Sequence, residues 1–410
     1  MRGLYFYSMD IWQALLQQDV QQFIVDNERV DAHSISLHQK NLHNIPPGLL
    51  AAQILGRQKS RIKLPSYYQG KNILYPPSLN LEQSSSEATA IFKSKIIAAT
   101  VERKISLIDL TGGFGVDSFF LSRVANTVIH VEPDAELQKI AAHNHKQLGV
   151  SNIFYENKTA EVLVDGFQEK VDVFYIDPAR RKAGQKVFAF ADCEPNIEML
   201  QHKLFSIGTY LLIKAAPLLD ISMALHQLQF VRNVLVVAVE NECKEVLFWC
   251  ERDFAGEPEI KAVSLNNAGE ELSSFYFTQK SEQVSQVKFG EPDQYLYEPN
   301  AAILKAGAFK SIANAFDLFK LAPSTHLYTS RSLHTSFPGR IFKLETLVKA
   351  DTKSVHALLP EAKANILTRN YPLKPEELKK KLKLKDGGEK YLIGFSGQTV
   401  KHLALCSRLQ

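Results

Sequence analysis

L-I-D-L-T-G-G-F-G-V-D-S-F-F-L, residues 107–121, runs an apolar strand into Asp109, turns through three glycines and leaves as an amphipathic helix. Gly113 and Gly115 let the backbone approach a ligand more closely than any Cβ allows. The next apolar run, T-V-I-H-V-E, ends on Glu132, 23 residues after Asp109, where an acidic side chain meets ribose hydroxyls in nucleotide-binding folds. Strand, glycine turn, helix, strand and acidic residue in register therefore predict a nucleotide-cofactor site.

Outward from this stretch, short apolar runs alternate with helix-length segments as far as Cys250: S-L-I-D-L, T-V-I-H-V-E, V-D-V-F-Y-I-D-P, Y-L-L-I-K and V-L-V-V-A-V, followed by E-V-L-F-W-C as an antiparallel strand. Such alternation calls for right-handed crossovers and a mostly parallel sheet covered on both faces, a doubly wound, Rossmann-like α/β domain. Its start is placed at Ser84, where S-S-S-E offers Ser84 and Glu87 as a capping box opening a helix through A-T-A-I-F-K-S-K-I-I. The domain is assigned to residues 84–282. Residues 1–83, apolar at helical spacing and punctuated by Pro46-Pro47 and Pro76-Pro77, read as an N-terminal helical region. Two small α+β units follow, at 283–326 and 327–410. In the second, Pro375 suits a first helical turn and Gly397 a hairpin turn.

A length of 410 residues points to several domains, and 45% hydrophobic with 22% charged residues is ordinary for globular proteins, against disorder, collagen or coiled coil. Asp10 interrupts the N-terminus before any leader-like apolar stretch, and no run reaches membrane-spanning length, so a cytoplasmic, unanchored protein is expected. Four scattered cysteines without a C-x-x-C pair argue for reduced thiols and against a metal site. Net charge is only +4, but the 50 residues from Glu361 carry 11 Lys and Arg against 5 Asp and Glu. That segment is the candidate polyanion surface.

The third small position of a dinucleotide turn, Ser118, fits loosely, and Asp117 would repel a diphosphate, which disfavours NAD. S-adenosylmethionine has a sulfonium, an amino group and no phosphate, so Asp109 would help bind its cationic methionine end, directly or through water, without that repulsion. The segment resembles motif I of class I S-adenosylmethionine-dependent methyltransferases, with Asp109, Gly113 and Gly115 at the motif's acidic and glycine positions and Glu132 at motif II. The resemblance covers residues 84–250 and implies S-adenosyl-L-methionine as cofactor. It also implies that the helix opening at E-Q-S-S-S-E-A-T closes over the cofactor carboxylate, with Ser86 and Thr89 as donors; a plain helix N-cap is the alternative. Where the family has an Asp against adenine, this chain has Y-E-N-K, which leaves Asn157 or Lys158, and an Asn157 amide would serve adenine.

Methyl transfer from a sulfonium is mostly a matter of positioning. V-F-Y-I-D-P-A-R-R places Asp177 at a strand end, where ligands collect. This resembles the [D/N]-P-P-[Y/F] motif of amino-group methyltransferases, whose acidic or amide oxygen accepts from the target amine, but the second Pro is Ala179 and the aromatic is Arg180. Arg180 is the second candidate catalytic residue and Arg181 a candidate RNA contact, with an Asp177–Arg180 structural ion pair as the alternative. Lys214 ends the following strand as a substrate contact or a solvated lysine. Across the whole chain, the order of parts is similar to a bacterial group of class I methyltransferases with a ferredoxin-like insert and a C-terminal THUMP-like domain, distantly similar to RNA cap guanine-N2 methyltransferases. This implies methylation of a base nitrogen in structured RNA, tRNA or rRNA. Lys379, Lys380 and Lys381 in P-E-E-L-K-K-K-L would then neutralise phosphates, a solvated helix face being the alternative. The competing functions are an RNA-binding scaffold with a degenerate methyltransferase domain and a methyltransferase acting on protein or a small molecule. Oligomeric state stays open.

Overall fold

The computed structural model describes residues 9–38, 42–101, 103–180, 190 and 193–410. The chain divides into two compact units, one formed by Met1–Arg232, Lys244–Gly256 and Leu265–Glu270, the other by Asn233–Cys243, Glu257–Ser264 and Glu271–Gln410.

The first unit opens with helices, of which Pro47–Lys63 is the longest. Pro47 occupies its first turn, where a missing N–H leaves no bond unmade. Leu15, Ile24, Leu50, Ile54 and Tyr67 from these helices form one apolar core with Phe114, Phe119 and Phe120 of the glycine-turn segment. The next helix is Glu87–Thr100, and its N-cap is Ser86, whose hydroxyl accepts from the Thr89 N–H. The expected cap at Ser84 is thus two residues early. Glu87 is not free to complete a capping box, because its carboxylate accepts from the N–H and hydroxyl of Ser66, at 2.7 Å each.

Strands β1 (Ile105–Asp109), β2 (Ala125–Val131), β3 (Ile153–Glu156) and β4 (Val171–Ile176) follow, then an antiparallel pair of two-residue strands, β5 (Ala179–Arg180) and β6 (Cys193–Glu194), and β7 (Gly208–Ala215). The chain passes to the second unit within β8 (Val231–Val239) and returns in β9 (Glu242–Glu251). β1 is hydrogen-bonded in parallel to β2 on one side and β4 on the other, β2 to β3 and β4 to β7, while β9 runs antiparallel to β7. The order β9-β7-β4-β1-β2-β3 reverses between β1 and β4, so the crevice at their carboxyl ends is where a doubly wound sheet receives a ligand. The central strands are buried along nearly their whole length, which is why they read as continuous apolar runs instead of alternating ones.

The second unit holds β10 (Glu259–Leu265) as far as Ser264 and β11 (Glu271–Thr278), then β12 (Tyr295–Pro299), β13 (Phe319–Ala322), β14 (Thr325–Ser330), β15 (Gly339–Leu347), β16 (Asn365–Arg369), β17 (Lys390–Ser396) and β18 (Lys401–Arg408). The last seven form one sheet in the order β13-β14-β12-β15-β18-β17-β16. Residues 326 and 327 both lie within β14, because A-P-S-T is the turn of the β13–β14 hairpin. β16 and β17 are parallel, and the connection between them contains helix Pro375–Leu382, which buries Leu378 and Leu382 in the apolar layer with Leu392 and Leu405.

Candidate active site

The glycine turn is fixed from inside. Asp109 is fully buried; one carboxylate oxygen accepts from the Thr111 N–H at 3.1 Å and the other from the Ser118 hydroxyl at 2.6 Å. Burial pushes the Asp109 carboxyl up to about 7. Ser118 also meets Nδ1 of His130 at 3.0 Å, and His130 packs so tightly beneath Gly112 that a Cβ there would lie 2.2 Å from the ring. Gly115 has φ +84°, and a Cβ would lie 2.6 Å from His145. His145 donates from Nε2 to the Gly115 carbonyl at 2.9 Å, so its Nδ1 accepts from the Tyr155 hydroxyl, also at 2.9 Å. Burial lowers His130 to about 3 and His145 to about 4, so both rings are neutral struts. Gly113, at φ +53°, donates its N–H to Glu132 at 2.9 Å, and the other Glu132 oxygen accepts from Asp134 N–H at 2.8 Å. Burial also raises the Glu132 carboxyl.

Above the turn lies a cavity of about 690 Å³. Thr111 to Asp117 form one wall, Gln83 to Ser85 another, and Asp177, Pro178, Lys214 and Lys244 also line it. Thr111 joins the two chemical ends, because its hydroxyl oxygen accepts from the Asp177 N–H at 2.7 Å. Asp177, just past β4, accepts a hydrogen bond from the Lys214 ammonium near the end of β7. Its second oxygen has no partner among the described residues.

Beside this pair is a buried charge network. Lys93 reaches both Glu245 oxygens and the Ser85 hydroxyl at 3.0 Å, and Asp117 at 3.1 Å. Asp117 also accepts from Ser85 at 2.7 Å and Tyr175 at 2.8 Å. Burial works to raise the Asp117 carboxyl, but Lys93, Lys214 and the two hydroxyls outweigh it and hold it below the usual range. Lys214 shows the reverse balance: burial opposes its charge, and Asp177, Glu245 and Asp117 together keep its proton affinity above that of ordinary lysine.

Of the residues singled out from sequence, Gly113, Gly115 and Asp177 line the cavity together. Asp109 and Glu132 are not among the lining residues: Asp109 is held by the Thr111 N–H and the Ser118 hydroxyl and does not meet the cavity directly, while each Glu132 oxygen accepts one backbone N–H. Asn157 donates to the carbonyls of Glu132 and Pro133 at 2.8 and 3.1 Å, so its amide NH₂ braces the Glu132 turn. Ser86 and Thr89 bond each other within the helix cap, as in the plain N-cap alternative, and Ser84 and Ser85 are the serines of this stretch that line the cavity. Arg180 forms the β5 backbone, and its side chain, like the whole of Arg181, lies outside the described residues. In the second unit, Lys379 is held by Glu376 and Asp386 at 2.6 Å each, whereas Lys380 and Lys381 are exposed. Lys93 and Glu245 were missed; the available signal was a charge embedded in each of the apolar runs I-F-K-S-K-I-I and E-V-L-F-W-C. Among the described residues no group of His, Cys, Asp and Glu is placed to hold a metal, and no helix is long and apolar enough to cross a membrane.

Comparison with known proteins adds to this geometry. Residues 295–338 match the family model of a ferredoxin-like domain and residues 339–408 that of a THUMP domain-like module. A protein of Porphyromonas gingivalis W83, provisionally named a methyltransferase, has a crystal structure that superposes with a TM-score of 0.83 at 31% identity, covering 97% of this chain and 99% of that one. Two S-adenosylmethionine-dependent methyltransferases of Mycobacterium tuberculosis, strains CDC 1551 and H37Rv, themselves uncharacterised, are each 22% identical over 306 residues, 74% of this chain and 80% of theirs. With a doubly wound sheet, a glycine turn at its reversal point and these relatives, the chain belongs to the class I S-adenosylmethionine-dependent methyltransferases that carry ferredoxin-like and THUMP-like domains after the α/β domain.

Proposed function

We propose that this methyltransferase acts on a nitrogen of a base in structured RNA, tRNA or rRNA, with Asp177 accepting from the target nitrogen. The observation that carries the RNA assignment is the THUMP domain-like match at 339–408, in a segment rich in lysine. S-adenosylmethionine supplies a methyl group on a sulfonium, which leaves as a neutral sulfide. The residues present suit that molecule: Gly112, Gly113 and Gly115 put backbone without side chains along the cavity wall, and the Asp177 carboxylate lines the same cavity. In this reading Gly113 and Gly115 cradle the cofactor, Asp109 and Glu132 hold the cradle, and Glu132 keeps lone pairs for ribose hydroxyls. Asn157 braces that turn, which leaves the adenine contact to backbone groups. Asp177, tied through Thr111 to the cradle, stands where the acceptor nitrogen meets the methyl group. Arg180 would be the second catalytic residue, and Arg181 would contact the RNA.

The test is transfer of tritiated methyl from S-adenosylmethionine to total RNA from a deletion strain, followed by nucleoside analysis. Label in a nucleoside supports the reading; label in protein alone, or none, overturns it. Asp177→Ala is expected to reduce transfer by about a thousandfold or more while calorimetric affinity for S-adenosylmethionine stays within about tenfold. Equal loss of both would remove Asp177 from the chemistry.

A further inference from the structure

Asp177 does not face the cavity alone. Lys214 lines the same cavity, touches the Asp177 carboxylate and is only 14% exposed. Its position is set from two sides. β7 pairs in parallel with β4, with Ile213 opposite Ile176, which brings Lys214 beside Asp177. β9 pairs antiparallel with β7, with Val246 opposite Ala215, which brings Glu245 close by. Glu245 is in turn gripped by Lys93, and Lys93 by Asp117 and Ser85, so the surroundings of Lys214 are held by buried, mutually bonded groups. These carboxylates keep Lys214 protonated.

We infer that Lys214 is a positioning residue that sets the charge class of the methyl acceptor: it neutralises Asp177 and restricts the site to an uncharged nitrogen, excluding alkylammonium groups such as protein lysine. The inference rests on the methyl-transfer site described above but not on the acceptor being RNA. Lys214 lines the cavity and matches the Asp177 charge, and bound S-adenosylmethionine would add its sulfonium, so a further cation brought into a site of low effective dielectric would be repelled by both. An alkylammonium would also have to give a proton to the one open Asp177 oxygen before offering a lone pair, which fills that oxygen before the methyl is transferred. A neutral amino group has no such barrier. Its nitrogen gains the methyl, the sulfur keeps the electron pair of the broken C–S bond, and the displaced proton passes to the Asp177 oxygen that Lys214 leaves open. Lys214 thus offsets the Asp177 charge without occupying both of its oxygens.

Two experiments on the full-length protein test this. The first is calorimetric binding of S-adenosylmethionine and S-adenosylhomocysteine, which differ by the sulfonium charge. In Lys214→Gln the uncompensated Asp177 carboxylate is expected to shift the affinity ratio toward S-adenosylmethionine by about fivefold, with Lys214→Arg unchanged. A ratio equal in all three proteins, or a parallel loss of both ligands in the Gln variant, overturns the inference. The second is labelled methyl transfer to total deletion-strain RNA and to poly-L-lysine. The wild-type protein should label RNA and leave poly-L-lysine unlabelled, and Lys214→Gln should lower kcat about tenfold or more with KM nearly unchanged, restored by Lys214→Arg. Labelling of poly-L-lysine, or a Gln variant with unaltered kcat, overturns it. Wild-type protein that labels no RNA defeats the RNA reading, while the ratio experiment still decides the role of Lys214.

Discussion

Gly115 combines two constraints on one atom: a left-handed backbone at φ +84° and a buried imidazole 2.6 Å from where a Cβ would stand. His145 cannot retreat, because both of its nitrogens are bonded. Gly115→Ala is therefore expected to destabilise the protein by about 2 kcal/mol or more and to weaken S-adenosylmethionine binding, read by thermal unfolding and calorimetry. An alanine variant with wild-type Tm and affinity would show that the turn relaxes freely. Asp109 makes a prediction about pH. Its folded-state carboxyl titrates near about 7, above the ordinary value, because burial disfavours the charge. The native state then binds more protons than the unfolded chain between about pH 4 and about pH 7, so this group's contribution to stability falls as pH rises through that window. Asn in its place can still accept from Thr111 and bond Ser118 but never ionises. Asp109→Asn should thus come nearest to wild type at about pH 4 and exceed its Tm at about pH 8.5, measured without cofactor. A Tm difference that is the same at both pH values would mean that Asp109 is ionised throughout.

At the scale of elements, helix Glu87–Thr100 carries two functions at its start that sequence cannot separate. Its N-cap hydroxyl is Ser86, bonded to Thr89, while its neighbour Ser85 bonds Lys93 and Asp117 and faces the cavity. Ser86→Ala should cost about 1 kcal/mol of stability and leave S-adenosylmethionine affinity unchanged. Loss of cofactor affinity at unchanged Tm would instead make Ser86 a ligand contact. The same helix shows what was legible and what was not. Strands β1, β2, β4 and β7 announced themselves as apolar runs because both their faces are buried, and Gly113 and Gly115 because positive φ leaves a compositional mark. Asp177 could be placed from the strand it follows. The choice among three adjacent serines depends on where the chain bends, which no periodicity records. The Lys93–Glu245 pair joins residues 152 apart in sequence, and only the pairing of β9 with β7 brings Glu245 to the same site. Lys214 was visible as a strand-end lysine, but its contact with Asp177 depends on which strands are neighbours.

At the scale of the whole molecule, the proposed action on RNA divides the work between the cavity and a phosphate-holding surface on the THUMP-like module. The two are distinguishable by salt. In helix Pro375–Leu382, Lys379 is already neutralised by Glu376 and Asp386, whereas neither Lys380 nor Lys381 pairs with a carboxylate among the described residues. An ammonium already matched by protein anions releases few counterions when RNA arrives, and an unmatched one releases nearly its full share. The double variant Lys380→Ala, Lys381→Ala is therefore expected to weaken binding of total deletion-strain RNA and to flatten the log K against log salt plot by about 1 to 2 units of slope. Lys379→Ala should leave that slope close to wild type, although it exposes Glu376 and Asp386. Neither change should alter calorimetric affinity for S-adenosylmethionine, because the cavity and its charge network are built within the first unit. If the slope stays fixed in the double variant while RNA is still methylated, the phosphates are held elsewhere and the lysine-rich helix is a solvated face. If the slope flattens and methylation of RNA at low salt recovers to the wild-type rate, the helix supplies affinity alone and the choice of atom rests with Asp177 and Lys214.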